Sequence, residues 1–161
     1  KENLIEPIFM GNKKEIKKYV NVKYRAMTLL SRREHSFDDL LQKLVKIFPD
    51  ESKLIYDVII DLRDLNLQSD FRFAEMITAT RIRKGYGPDR IVAELKNYKV
   101  SNDITVKVLT ECGVNWFELA KKVLIKKYGY RNSCEFNEKV KINNFLKYRG
   151  FKSEHISACC K

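Results

Sequence analysis

Residues 77–95 read ITATRIRKGYGPDRIVAEL and predict a helix, a tight corner and a second helix. Gly85 suits the end of the first helix, because glycine readily adopts the left-handed conformation that stops a helix. Pro88 suits the start of the second, where its missing N–H costs no hydrogen bond and its φ angle is already set. The last turn before the corner carries the cations Arg81, Arg83 and Lys84.

Two other segments repeat this corner. When Tyr86 is aligned with His35 and Phe151, the three corners read RKGYGPDRI, RREHSFDDL and YRGFKSEHI. Each has a basic residue, a short link, an acidic first helical turn and then an apolar position. Such recurrence is typical of tandem helical arrays, in which neighbouring units bury each other's apolar faces.

The spacing of apolar residues predicts an all-α protein with nine helices in three triplets and no β-sheet. We predict a basic N-terminal tail or fraying helix at 1–18, followed by three-helix repeats at 19–66, 67–113 and 114–161. Ser36 is the expected N-cap of the second helix. The predicted core includes Val20, Tyr24, Met27 and Leu30 in the first helix, Leu40, Leu41, Leu44, Val45, Leu62 and Leu65 in the next two, and Phe73, Ile91, Val92, Leu95, Val106, Val108, Trp116, Phe117, Val140, Ile142, Phe145, Leu146 and Ile156 beyond them.

Charge indicates the class of partner. The 161 residues include 32 Lys and Arg against 21 Asp and Glu, which gives a net charge of +11. An excess of this size favours a polyanionic binding partner. The alternative is that the charge serves only to keep the protein soluble. Nucleic acid is a better match than membrane, because no apolar run approaches the roughly 18 residues of a spanning helix. Four cysteines without a CxxC pair, and the absence of a secretory signal, predict a cytoplasmic protein without a metal site.

No catalytic constellation is evident. The GYGP corner follows a helix and lacks the Lys-Ser or Lys-Thr of a phosphate-binding P-loop. Asp57, Asp61 and Asp64 share a helix face, but nearby cations favour a solvated ionic surface over a magnesium site. His35 has no recognisable nucleophile beside it. We therefore predict no enzyme activity, no catalytic residue and no cofactor.

The chain resembles the RecX family, whose members regulate the RecA recombinase. The resemblance is carried by LLSRREHSFDDLLQKL, by DFRFAEMITATRIRKGYGPDRIVAEL, and by TECGVNWFELAKKVLIKKYG with FNEKVKINNFLKYRGF. It covers residues 24–156. Two places depart from the family pattern: residues 67–70 read LQSD where an acidic turn is usual, and residues 1–18 match nothing in it.

The resemblance implies an elongated, curved, right-handed-type stack of three-helix repeats that lies in the groove of a RecA filament on single-stranded DNA. It also implies inhibition of the ATPase, recombinase and co-protease activities of RecA, and so a role in homologous recombination, DNA repair and the SOS response. The expected partners are the RecA filament and, by weak direct binding, single-stranded DNA, with no membrane and with the chain as a monomer.

We expect the contact surface among the basic residues near the corners. The candidates are Arg32, Arg33, Arg72, Arg81, Arg83, Lys84, Lys126, Lys127, Lys147 and Arg149, together with Tyr86. The alternative for each cation is a structural role at a helix C-terminus, where it offsets the helix dipole. Tyr86 either stacks on a base or anchors the packing between repeats.

A second functional reading is a stand-alone DNA-binding protein with a helix-turn-helix. The corner from Gly85 to Pro88 joins two helices closely, and the second could enter a major groove. That helix has few side chains suited to base edges, since it carries Arg90, Glu94 and Lys96.

Overall fold

The computed structural model describes residues 13–129 and 136–159, which form nine α-helices and no β-strand. The all-α prediction is therefore confirmed. The helices are α1 Lys13–Leu30, α2 Phe37–Ile47, α3 Ser52–Asp64, α4 Asp70–Arg83, α5 Pro88–Asn97, α6 Asn102–Glu111, α7 Trp116–Tyr128, α8 Phe136–Tyr148 and α9 Ser153–Cys159.

The chain divides into two compact units, Lys1–Ser69 and Asp70–Lys161. In the first unit α1, α2 and α3 pack against one another. In the second, α4 packs with α5 and α6, and α7 packs with α8 and α9. The predicted repeat boundaries at 19–66, 67–113 and 114–161 remain predictions, as does the curvature of the stack.

Each helix triplet has its own apolar core. Leu40, Leu44 and Leu62 are fully buried in the first, as predicted. The second triplet buries Phe73, Ile91 and Leu95, and the half-buried Trp116 packs against it. The third is built on Ala120, Ile142, Leu146, Phe151 and Ile156.

The prediction of which face of α1 is buried was wrong. The structure buries Val22 and Ala26, whereas Val20 is 55% exposed and Tyr24 is 74% exposed. Met27, in the same predicted stripe, is also exposed. The helix carries two apolar stripes, and the small side chains at 22 and 26 form the one that packs with α3.

Five other predicted core residues lie at the surface: Leu65, Val92, Val106, Phe117 and Val140. Each lies close in sequence to a residue that is buried. On α6, for example, Thr105 and Val108 are buried and Val106 faces away from the core. Three-helix packing buries a narrow stripe of each helix, so apolar residues at the margin of a stripe stay exposed.

The first corner is held by a hydrogen-bond network around a buried histidine. The Ser36 hydroxyl accepts a hydrogen bond from the Asp39 backbone N–H at 3.1 Å, which confirms the predicted N-cap. The carboxylate of Asp39 accepts from Nδ1 of His35 at 2.6 Å and from Nζ of Lys43 at 2.9 Å. Burial raises the pKa of Asp39, but these two hydrogen bonds outweigh it and the net pKa is lowered.

The second histidine also closes a corner. His155 is buried in α9, and its Nδ1 accepts a hydrogen bond from the Lys152 backbone N–H at 3.2 Å. Its ring meets those of Phe117 and Phe151 edge to face. Burial lowers the pKa of His155, as it lowers the pKa of His35. Both side chains are therefore neutral at pH 7.

Acid should destabilise the protein through these two histidines. Because both pKa values are lowered from the ordinary 6.5, the unfolded chain takes up protons first as the pH falls below 6.5. We expect the free energy of unfolding to be constant above that pH and to decline below it, by at most about 1.4 kcal/mol per pH unit for each histidine. Urea denaturation between pH 5 and 8 would measure this slope.

The matched control is the double variant His35→Asn/His155→Asn. An asparagine keeps a polar group near each Nδ1 position but does not titrate in this range. The slope between pH 5 and 6.5 should flatten in this variant, and an unchanged slope would assign the effect to other groups.

Candidate anion-binding groove

The corner between α4 and α5 is joined directly to the corner between α8 and α9. The Gly87 N–H donates to the Arg149 carbonyl at 2.8 Å, and the Asp89 N–H donates to the Gly150 carbonyl at 3.0 Å. Gly87 is the N-cap of α5 and has no side chain to cap the helix. Carbonyl groups just after the end of α8 thus accept hydrogen bonds from backbone amides at the start of α5 that have no partner within the helix. The positive N-terminal end of the α5 dipole also lies next to the negative C-terminal end of the α8 dipole.

This contact requires glycine on both sides. A Cβ at Gly87 would lie 2.3 Å from the carbonyl oxygen of Gly150. A Cβ at Gly150 would lie 2.5 Å from the backbone nitrogen of Arg90, and Gly150 has a φ angle of +84°. The glycines therefore let two backbones approach within hydrogen-bonding distance.

The third corner does not hold the same place in its triplet as the other two. The corners at His35 and Tyr86 each join the first and second helices of a triplet, whereas the corner at Phe151 joins α8 to α9, the second and third. The three corner sequences match because they share local requirements: a residue that ends one helix, a residue that caps the next, and acidic residues in the first turn of that next helix. The second and third corners are contacting partners and not equivalent positions.

The side chain of Arg149 also contacts residues on both sides of this junction. Its Nη1 donates to the Lys84 carbonyl at 2.8 Å, and its guanidinium lies 5.1 Å from the ring centroid of Tyr86 and 5.2 Å from that of Phe145. Tyr86 is half-buried between Arg149 and Arg90. These contacts favour the packing role for Tyr86 over the base-stacking role.

Beside the junction, α4, α7 and α8 enclose a basic groove of about 620 Å³. Its lining residues are Ile82, Arg83, Lys84, Gly85, Leu119, Lys122, Val123, Lys126, Lys127, Phe145 and Arg149. We call this surface the basic groove. Six of the residues are cations and none is a carboxylate, so the groove concentrates positive potential.

The basic groove has an apolar interior and a charged rim. Leu119, Val123 and Phe145 are half-buried, whereas the four lysines and Arg83 are exposed. The Nζ of Lys127 lies 3.9 Å from the ring centroid of Phe145, on which Arg149 also packs. This arrangement can bind anionic groups at the rim and a flat or apolar group in the interior.

The structure brings five of the predicted contact residues together in this groove: Arg83, Lys84, Lys126, Lys127 and Arg149. It also adds Lys122, which the sequence reading missed. Lys122 lies four residues before Lys126 on α7, so it shares a helix face with a residue that was predicted. Helical spacing was therefore a usable signal for it.

The other predicted residues lie outside the groove. Arg32 and Arg33 belong to the first unit, where Nη2 of Arg33 donates to Asp39 at 3.0 Å. Arg72 is half-buried near the start of α4, and Lys147 is exposed near the end of α8. Tyr86 lies at the corner junction. The contact role predicted for all of these remains a prediction.

Arg81 has a structural partner. Its Nε and Nη2 both lie 2.5 Å from carboxylate oxygens of Glu94, which joins α4 to α5, and this hydrogen bonding raises the pKa of Arg81. Arg81 and Lys84 both line a second pocket, of about 400 Å³. Because Glu94 neutralises Arg81 there, Lys84 is the better placed of the two to bind an anion.

The fold and the basic groove define a helical-repeat protein with a surface suited to anions. In the part of the chain that the structure describes, no three His, Cys, Asp or Glu side chains come together as a metal site. None of the described helices is long and apolar enough to cross a membrane.

Comparison with known proteins identifies the family. The model of "RecX, second three-helix domain" matches residues 69–109, and that of "RecX, third three-helix domain" matches residues 115–160. Regulatory protein RecX of Salmonella typhimurium strain LT2 is 36% identical over 147 residues, which cover 86% of this chain and 89% of the relative. The protein of the same name from Salmonella typhi has the same identity and coverage. The chain belongs to the RecX family of regulatory proteins.

Solved structures agree with the fold. A crystal structure of regulatory protein RecX superimposes with a TM-score of 0.75 and 22% identity, covering 95% of this chain and 81% of that one. RecX from Lactobacillus salivarius gives a TM-score of 0.75 and 21% identity, covering 89% of this chain and 95% of the other.

Proposed function

We propose that this protein binds the RecA filament on single-stranded DNA and inhibits the ATPase, recombinase and co-protease activities of RecA. In that role it modulates homologous recombination, DNA repair and the SOS response as a cytoplasmic monomer. The observation that carries the proposal is the basic groove, where six cations and no carboxylate surround an apolar interior.

The chemistry of the groove favours a single strand over a duplex. Phosphates can pair with rim cations such as Lys84 and Lys126, while an unpaired base can pack against the interior beside Phe145. A base in a duplex is stacked and cannot enter a groove of this size. Direct affinity for single-stranded DNA should be weak and steeply salt-dependent, because it rests on ion pairing at few phosphates. The protein acts by occupying a surface, without catalysis or a cofactor.

The experiment that tests the function is the RecA ATPase rate on single-stranded DNA with increasing amounts of this protein, well below one copy per RecA. Inhibition at these ratios is expected for a filament regulator, which acts on many subunits at once. A rate that stays constant up to equimolar protein would refute the proposal.

The helix-turn-helix alternative is disfavoured by the corner junction. A recognition helix contacts bases with its N-terminal residues. In α5 this end is engaged, because Gly87 and Pro88 are buried and the Asp89 N–H is bonded to Gly150. Sequence-specific binding to one duplex, together with no preference for RecA filaments, would favour the alternative.

A further inference from the structure

Helix α1 presents an apolar stripe that no described element covers. Its members are Ile16, Val20, Tyr24 and Met27, with exposed fractions of 46%, 55%, 74% and 46%. Spacings of four, four and three residues place all of them on one face of the helix. We call this surface the α1 stripe. Large apolar side chains grouped in this way mark an interaction surface more often than single exposed ones do.

The orientation of α1 is fixed from its other side. Val22 and Ala26 are fully buried in the core of the first unit, and the Tyr19 hydroxyl donates a hydrogen bond to Asp61 on α3. Rotating the helix to bury the stripe would expose these residues and break that bond. The stripe therefore stays at the surface while the first unit is folded.

Charge on α1 restricts what can cover the stripe. The helix carries six cations and a single carboxylate, Glu15. By helical geometry, Lys13 continues the line of the stripe at its N-terminal end, Lys17 flanks it on one side and Lys23 flanks it on the other. A second copy of the chain would place these cations against its own, which disfavours self-association. A nucleic acid backbone would match the charge but would leave the aliphatic side chains uncovered.

We propose that the α1 stripe binds an acidic amphipathic helix of a partner protein. Such a helix has apolar side chains at intervals of three and four residues and Asp or Glu beside them. Its apolar face covers Val20 and Tyr24, and its carboxylates pair with Lys13 and Lys17. This helix-in-groove mode combines apolar burial with charge complementarity. The inference is independent of the basic groove, because α1 belongs to the first unit and the groove to the second.

The test uses the full chain and a fluorescein-labelled peptide of about 18 residues that places leucines at helical a and d spacing and glutamates elsewhere. A peptide of identical composition in scrambled order is the control ligand. We expect saturable binding of the patterned peptide by fluorescence anisotropy. The Val20→Asp variant should raise its Kd at least about tenfold, since a carboxylate replaces an apolar contact within the interface.

Val106→Asp is the matched control variant. Val106 lies on α6 in the second unit and is 55% exposed, the same fraction as Val20, so the two changes add the same charge at equal exposure. Val106→Asp should leave the Kd within about twofold of the parent value.

Three results would overturn the proposal. Equal binding of the patterned and scrambled peptides would mean that charge alone is recognised, and equal Kd values for the two variants would place binding elsewhere. A dimer in sedimentation that Val20→Asp dissociates would assign the stripe to a second copy of the chain.

Discussion

Replacing Gly87 with alanine should destabilise the second unit by about 3 kcal/mol or more. The added Cβ would lie 2.3 Å from the Gly150 carbonyl oxygen, and the atoms that it would meet are backbone atoms, which have little freedom to move. Forced separation of the corners would cost roughly 1 to 3 kcal/mol of packing strain, and the two hydrogen bonds from Gly87 and Asp89 are worth about 1 kcal/mol each. Urea denaturation followed by circular dichroism measures the change.

Gly113→Ala is the informative control. Gly113 has a φ angle of +63°, but a Cβ added there would meet nothing within 4 Å. Alanine at this position should therefore destabilise the protein only through backbone strain. That strain costs about 1 to 2 kcal/mol. Gly87 has an ordinary φ of −84°, so alanine there meets only the steric clash. Equal destabilisation by the two variants would contradict the tight junction between the corners.

The triple variant Lys84→Glu/Lys122→Glu/Lys126→Glu should abolish inhibition of RecA while leaving the fold intact. These lysines line the basic groove, are exposed and make no hydrogen bond or ion pair with another side chain among the described residues. Their reversal turns a groove of six cations into one that holds three carboxylates. We expect the affinity for single-stranded DNA to fall roughly 100-fold and the slope of log K against log salt to flatten by about 2.

Arg81 is deliberately absent from this variant. Glutamate at position 81 would face Glu94 across the junction of α4 and α5, so a loss of activity could reflect unfolding. The matched control is Lys96→Glu/Lys139→Glu/Lys141→Glu, which changes the net charge equally at exposed sites outside the groove lining. This control should retain inhibition. If both variants lost activity equally, overall charge and not the groove would be responsible.

The helices could be predicted from sequence because their causes are local. Ser36 caps α2 through a hydrogen bond from a residue a few positions away, and Pro88 favours the start of α5 through its own fixed φ angle. Apolar spacing likewise identified Leu40, Leu44, Ile91 and Leu95 as core. The same spacing could not choose between the two apolar stripes of α1, since that choice depends on which face α3 and α2 contact.

The site was only partly predictable for a similar reason. Charge clustering near the corners identified Arg83, Lys84, Lys126, Lys127 and Arg149, but their meeting in one groove depends on how α4, α7 and α8 come together. Arg81 shows the limit clearly, because its partner Glu94 lies thirteen residues away on another helix. The sequence shows which residues are cations, but it does not show which of them form ion pairs with carboxylates in the folded protein.

The joining of α5 to α8 has a consequence for synthesis of the chain. Arg149, whose carbonyl accepts the hydrogen bond from Gly87, lies 62 residues further along the chain and leaves the ribosome 62 residues of synthesis later. At a translation rate of about 5 to 20 residues per second, the N–H of Gly87 can hydrogen-bond only to water for roughly 3 to 12 seconds. The second triplet therefore completes its hydrogen bonding only after the C-terminal helices have emerged, and the basic groove is among the last features of the protein to form.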